Sequence, residues 1–480
     1  MSKDLLRSHL DPYRHWISRC LIAMNLKDIN SEKVIILIGL LARLAVSPFF
    51  GDSYDAWVWH VIASAWVRRG INPYDYNLHQ VRLYMDPYSY PVPWALLCTV
   101  GYFFSGPLPD YGGITILVLQ KIPVITADIL LGVMLGKVVF DATGSSKAKK
   151  IAMASYLLNP YVFMGSALYF QFDAIPALFT VLALYFFKKD EVELAAVSLG
   201  MGIAFKIYPI ILLPVFLVFL KKRRLSFSLL SALPMASCSL PFLIFNFSGF
   251  FHALFYQSNW SGNFTYWRII WTRLGFDYYP REESSPLLAQ VALINTVITV
   301  SSLLLLYLYL LRHVDRVSLE RGILLTLLVF FITYRFIQDN HAMWAIPFAI
   351  MDGIINRNRF ERIWYMPLLF YTGTRWFYYL LSIPSWLGGF YYLDLIWKLR
   401  ELTMILVFPE ITFAYLLSSL TTADSSSTSR SMVNSKSLKR VASVSSLPQV
   451  FSSFWRCQIS QSTSLPLPFP MRMPPSTLVT

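Results

Sequence analysis

The chain has 480 residues, of which 56% are hydrophobic, 16% aromatic and only 14% charged. Apolar windows of the roughly 20 residues that a membrane span needs recur from about Val34 to about Leu420, which excludes a soluble multidomain protein and is too much for one removable signal peptide. The formal charge of +14 (41 Lys and Arg against 27 Asp and Glu) sits in short clusters between apolar runs, so it marks no nucleic-acid module.

Those clusters, 147–150, 188–189, 221–224, 312–321 and 357–362, follow the positive-inside pattern. With them inside, the polar loop at Asp52 and Asp55 falls outside. Cys20, Cys98, Cys238 and Cys457 form no CxxC, and the seven histidines form no HExxH, so neither a disulfide framework, a metal site nor a cofactor is expected.

The expected architecture is all-α and polytopic, with eleven to thirteen transmembrane helices and two long outer loops. Residues 1–32 carry apolar positions at helical spacing and read either as a cytoplasmic interfacial helix or as a frayed terminus. Residues 33–420 form the transmembrane domain. Beyond 421 the Ser- and Pro-rich composition reads as a disordered tail.

The first span, from about Val34 to Phe50, contains Arg43, which either snorkels or pairs inside the bundle. After Asp52 and Asp55, the residues Trp57, Trp59, Ile62 and Trp66 recur at helical spacing until Gly70, as in an amphipathic helix at the outer interface. Residues 91–140 carry Lys121, Asp128 and several prolines. Parity then requires an odd number of crossings there, and hence a half-span or re-entrant piece. Further on, Asp173 and Lys206 fall on the outer side, as does the second polar loop from Asn246 to about Pro286.

Asp52 and Asp55 read either as loop caps or as a general base that takes a proton from an incoming hydroxyl. Asp173 reads either as a helix N-cap or as a site residue. Lys206, Arg268, Arg335 and His341 are either headgroup-level snorkellers or counter-charges for a phosphate. A base, several cations and a lipid-facing chamber suit attack by a hydroxyl on a sugar carried by a lipid phosphate. A flippase or transporter of a lipid-linked sugar would share the cations without needing the base.

These residues, in this order, resemble the GT-C superfamily of polyprenyl-phosphate-sugar glycosyltransferases, and within it the catalytic subunit of GPI mannosyltransferase I and related microbial mannosyltransferases. The resemblance is carried by Asp52-Ser53-Tyr54-Asp55 with Gly70-Ile71-Asn72-Pro73-Tyr74, by Leu158-Asn159-Pro160 through Gln171-Phe172-Asp173, by Lys206-Ile207-Tyr208-Pro209, by Asn263-Phe264-Thr265-Tyr266, and by Trp344-Ala345-Ile346-Pro347. It implies inverting single-displacement transfer of a hexose, most simply mannose, to a lipid-linked or glycan hydroxyl on the non-cytoplasmic face. Asp55 is then the base with Asp52 as partner. Lys206, Arg335, His341 and Arg268 are candidates for the donor phosphate, and Asp173, Gln171, Tyr74 and Asn263 for the substrate.

The implied partners are the polyprenyl-phosphate sugar donor, the acceptor, the membrane and, since the resemblance is to a catalytic subunit, a small accessory membrane subunit. The membrane is that of the endoplasmic reticulum in a eukaryote and the plasma membrane in a prokaryote. Two features depart from the GPI enzyme. The first-loop acids stand three apart instead of in a DxD, and Asn259-Trp260-Ser261-Gly262 replaces the basic and acidic residues before its Asn-Phe-Ser stretch.

Overall fold

One long helix sets the frame. In the computed structural model, which describes residues 32–74, 88–108, 113–262, 264–276, 286–358, 360–382 and 399–425, helix α4 (Ile114–Thr143) is continuous through Pro123. Near its start, Lys121 reaches the chain just before Asp52. Near its end, Asp141 pairs with Lys189 at 2.9 Å. Twenty residues of helix separate these two points, about 30 Å at 1.5 Å per residue, which is the thickness of a hydrocarbon core.

Before α4 come α1 (Glu32–Val46), α2 (Ser53–Arg69) and α3 (Val92–Ser105). After it the chain is bent. Helix α5 (Ser146–Leu157) meets the short α6 (Pro160–Phe163), which passes into a π-turn, Met164–Leu168, and the pair kinks by 42° at Asn159-Pro160. Helices α7 (Ala174–Lys188) and α8 (Val192–Phe205) form an antiparallel hairpin; a 3-10 turn at Tyr208–Leu212 then leads to α9 (Leu213–Phe219). The rest comprises α10 (Arg224–Phe245), the short α11 (Phe247–Phe255) and α12 (Trp267–Arg273), then α13 (Pro286–Arg312), α14 (Leu319–Thr333), α15 (Ile346–Ile355), α16 (Phe360–Ser382) and α17 (Phe408–Ser425).

The described residues are helical with no strand. Four stretches, Ile114–Thr143, Arg224–Phe245, Pro286–Arg312 and Leu399–Leu420, are each long and apolar enough to cross a membrane, and the bent pair makes a fifth. The other apolar helices are 10–17 residues long. This is the polytopic all-α architecture expected. Leu304, Leu305 and Leu308 on α13 and Leu225 and Leu229 on α10 lie more than half exposed, as lipid-facing side chains do.

The parity problem at residues 91–140 takes a definite form. Helix α3 is 14 residues, about 21 Å, and too short to cross, whereas α4 is long enough. The stretch from Leu194 to Leu220, which reads in the sequence as a helix pair or one helix broken around Lys206-Ile207-Tyr208-Pro209, is interrupted there, because Lys206 is extended and Pro209 follows in the next turn. The N-terminal segment, residues 75–87 of the first loop and the tail beyond 425 lie outside the described residues.

The basic clusters meet acidic partners at the far end of α4. Lys149 pairs with Glu32, Lys188 with Glu320 at 2.8 Å, and Arg223 with Glu193 at 2.7 Å. The polar cavity is at the other end. Helix α2 differs from its expected setting, because Trp59, Ile62 and Ala63 are buried at 1% exposure or less. Trp59 packs edge-on against Tyr88, Tyr90, Trp94 and Phe172. The helix is thus built into the bundle by its aromatic face, and Gly70 at φ +65° ends it in the left-handed turn that suits glycine.

Candidate functional site

Three charges buried in apolar sequence fasten the loop that carries Asp55. Arg43 is fully buried and pairs inside the bundle, its Nε 2.7 Å from Asp128. Its Nη1 donates to Leu157 O at 2.9 Å, and Tyr156 donates its hydroxyl to Asp128 at 2.8 Å. Lys121 donates to the carbonyls of Ser47 at 3.2 Å, of Phe50 and of Ala167 at 2.8 Å. The three carbonyls satisfy the three N–H donors of this ammonium, and the bonds tie the end of α1, the start of the loop and the π-turn into one corner.

Asp52 caps α2, its side chain accepting from the N–H groups of Tyr54 at 3.0 Å and Asp55 at 3.1 Å. That sets Asp55 in the first turn of the helix, facing a cavity of about 540 Å³. Burial, reinforced by the Asp52 charge, pushes the Asp55 carboxyl up to about 7, against the opposing pull of the Gln171 amide and the Lys206 charge.

The opposite wall is the turn 169–173. The π-turn ends at Leu168, and Phe170 takes φ +65°, an unfavourable conformation for a buried aromatic residue. This turn aims Gln171 and Asp173 at the same side. Gln171 donates its amide to Asp55. The Asp173 carboxylate makes no capping bond to α7. It accepts instead from Lys206 Nζ at 2.7 Å, from Asn340 Nδ2 at 2.7 Å and from Trp344 Nε1. Lys206 sits 5.2–5.5 Å from the ring centroids of Tyr90, Phe172 and Trp344, an aromatic cage for its ammonium.

A third wall joins the second loop to the break between α14 and α15. The N–H groups of Gly262 and Phe264 donate to the carbonyls of Arg335 and Ile337, each at 2.9 Å. An added Cβ at Gly262 would strike the Ile337 backbone. Behind this pairing, Tyr371 donates its hydroxyl to Asp339, and His341 accepts from the Gln338 N–H on Nδ1 at 3.2 Å. The His341 ring stacks on Trp344 at 4.1 Å.

Of the residues singled out in the sequence, Asp52, Asp55, Gln171, Lys206 and His341 line the cavity. Asp173 lies directly behind Lys206, and Tyr74 lies behind Tyr90, whose carbonyl accepts its hydroxyl at 2.8 Å. Arg335 is directed away, with Nη1 donating to Asn295 Oδ1 at 3.0 Å and Thr296 Oγ1 at 3.1 Å on α13. Arg268 is buried on α12 and is not among the lining residues. Asn263 lies outside the described residues.

The cavity also carries Asp339, Asn340, Arg375 and Arg400, which sequence reasoning had not assigned. Asp339 and Asn340 stood within the polar stretch that interrupts two apolar runs. Arg375 stands in the aromatic second half of α16, the kind of expensive residue that marks a site. Its guanidinium lies 4.5 Å from the Tyr169 ring centroid, and that of Arg400 lies 5.1 Å from Tyr371.

Residues 170–259, which include Gln171, Asp173 and Lys206, match the family model described as Mannosyltransferase (PIG-M). The chain is 30% identical over 171 residues to GPI mannosyltransferase 1 of Candida albicans, an alignment covering 34% of this chain and 37% of the relative. It is 29% identical over 195 residues to GPI mannosyltransferase 1 of Dictyostelium discoideum, covering 38% of this chain and 40% of that protein. The protein of the same name from Kluyveromyces lactis is 28% identical over 198 residues, 38% of this chain and 42% of its own length. The matches thus span about two fifths of these relatives. They bear out the resemblance to the GPI mannosyltransferase I type of GT-C enzyme.

Proposed function

We propose that the protein is a membrane mannosyltransferase that moves mannose from a polyprenyl-phosphate carrier to a hydroxyl of a glycolipid on the non-cytoplasmic face. The names of the relatives support mannosyl transfer, and their eukaryotic sources favour the endoplasmic reticulum membrane. The observation that carries the mechanism is Asp55, pushed up to about 7 in a cavity that also bears Lys206, His341, Arg375 and Arg400. A carboxylate with an affinity for protons near neutrality is matched to a general base.

In the proposed reaction the acceptor hydroxyl oxygen attacks the anomeric carbon of the donor, and Asp55 takes its proton. The bond from that carbon to the phosphate oxygen breaks on the opposite face, and polyprenyl phosphate leaves with the electron pair. The product is inverted. Lys206, Arg375 and Arg400 offset the charge that develops on the leaving phosphate. His341, held neutral by burial and by the Lys206 charge, contributes a hydrogen bond from Nε2–H and no charge, since its Nδ1 accepts from the Gln338 N–H. Asp52 acts on Asp55 by capping its helix and by its charge, and Gln171 orients the carboxyl. Arg335 and Arg268 take no part in this scheme, since neither lines the cavity.

The test is sugar transfer by membranes carrying the chain, given radiolabelled polyprenyl-phosphate mannose and a membrane lipid extract, with Asp55→Asn alongside. An enzyme yields a labelled lipid, and the variant loses about 10²–10⁴-fold in turnover while still binding donor. Transfer unchanged in Asp55→Asn removes the base. Donor binding without any product favours a transporter of the lipid-linked sugar.

A further inference from the structure

Hydrogen bonds connect the Asp55 carboxyl to Asp173 on the far side of the cavity wall, and they have a direction. Gln171 donates its Nε2 to Asp55. Its Oε1 accepts from Asn340 Nδ2 at 3.2 Å, and the same Asn340 amide donates to Asp173 Oδ2 at 2.7 Å. Asp173 is held by Lys206 Nζ at 2.7 Å and by Trp344 Nε1.

An ionised carboxylate only accepts, so Asp173 fixes which end of the Asn340 amide faces it. Asn340 then presents N–H to Gln171, which leaves the Gln171 oxygen facing Asn340 and its NH₂ facing Asp55. The polarity of every link follows from the charge on Asp173. Were Asn340 unable to donate, only the charge on Asp55 itself would hold the Gln171 NH₂ toward it, and a protonated Asp55 would be free to donate to a turned amide oxygen.

We propose that Asn340 is a positioning residue: it fixes the amide orientation of Gln171 and, through it, favours the ionised form of the Asp55 carboxyl. The inference rests on Asp55 being the base of the proposed reaction, but the protonation of Asp55 can be read independently of turnover. A donor to a carboxylate favours the charged form, and an amide oxygen in the same place disfavours it, so loss of Asn340 moves Asp55 toward the protonated acid. The other titratable and charged groups that line the cavity with Asp55 are Asp52 and Tyr54 at the start of α2, Tyr88 and Tyr90, Tyr169, Lys206, Asp339 and His341, Tyr371 and Arg375 on α16, and Arg400 and Glu401. Asn340 holds the Oε1 end of the Gln171 amide.

The experiment titrates Asp55 in the full chain in detergent by infrared difference spectroscopy. The protonated carboxyl band is identified by its loss in Asp55→Asn. Wild type, Asn340→Ala, Gln171→Leu and the double variant are compared, with thermal unfolding as the check on folding. The expected result is that Asn340→Ala raises the midpoint of Asp55 by about one unit, that Gln171→Leu does the same, and that Asn340→Ala adds nothing in the Gln171→Leu background. In the transfer assay, the acid limb of the rate moves up by the same amount.

An unchanged Asp55 midpoint in a folded Asn340→Ala protein overturns the proposal, as does a shift that persists in full without Gln171. If Asn340→Ala does not fold, Gln171→Leu decides, and no shift there overturns it equally. A shifted midpoint together with transfer that survives Asp55→Asn would sink the base assignment and leave the orienting role standing.

Discussion

Lys206 Nζ lies 2.7 Å from Asp173 Oδ1, an ion pair across 33 residues that joins the break after α8 to the turn before α7. The lysine side chain is 10% exposed and the aspartate 0%. Removing one member of such a pair leaves an uncompensated charge, which costs about 3–5 kcal/mol. Lys206→Met and Asp173→Asn are each expected to lower the thermal unfolding midpoint strongly, and the double variant is expected to recover part of the loss. Single variants that unfold like wild type would contradict the pairing.

Activity should depend on pH through Asp55. The base must be ionised, and its carboxyl is pushed up from 3.8 to about 7 by burial and by Asp52. Turnover is therefore expected to fall tenfold per unit below about pH 7 and to level off above it. A turnover limb near 4 would show that burial does not hold the proton.

The same group acts on stability in the opposite sense. Because the folded protein holds the Asp55 proton more tightly than the unfolded chain, that contribution is complete below about pH 4 and is lost as the pH rises through about 7. Asp55→Asn should consequently unfold at a higher temperature than wild type at pH 8. The difference should shrink toward pH 4. Equal midpoints at pH 8 would rule out a strained carboxylate.

Arg375 tests the cationic side of the cavity. A charge-assisted hydrogen bond to a phosphate contributes about 1.5–3 kcal/mol, so Arg375→Gln is expected to raise the KM for the polyprenyl-phosphate donor about 10–100-fold. Inorganic phosphate or free polyprenyl phosphate should inhibit the variant correspondingly less. A purely structural arginine would change the unfolding midpoint and leave KM where it was.

The fold was legible in the sequence because apolar length and basic clusters are local signals. The break at Lys206-Ile207-Tyr208-Pro209 and the stop at Gly70 followed from residue type alone, whereas the kink at Asn159-Pro160 did not. What was illegible depends on which charge meets which. Arg335 and Arg375 look alike in sequence as cations in apolar surroundings, yet Arg335 is consumed by Asn295 and Thr296 while Arg375 lines the cavity. The burial of Trp59 was hidden for a related reason. A tryptophan at helical spacing suits a lipid interface and a protein core equally well, and only the partners Trp94 and Phe172 decide.

The last prediction concerns Gly262, at the point where the chain departs from the GPI enzyme. Its N–H donates to Arg335 O at 2.9 Å, and its Cα lies so close to Ile337 that no Cβ fits. The obstacle is backbone, so relief requires the two segments to part. Overpacking of this kind costs about 1–3 kcal/mol. Parting also carries away the stretch from Gln338 to His341, which lines the cavity and includes Asn340. Gly262→Ala should therefore lower turnover by more than its modest effect on the unfolding temperature implies, and it should disturb the Asp55 titration as Asn340→Ala does. Gly262→Ala with wild-type turnover and stability would show that the second loop does not pair with residues 335–337.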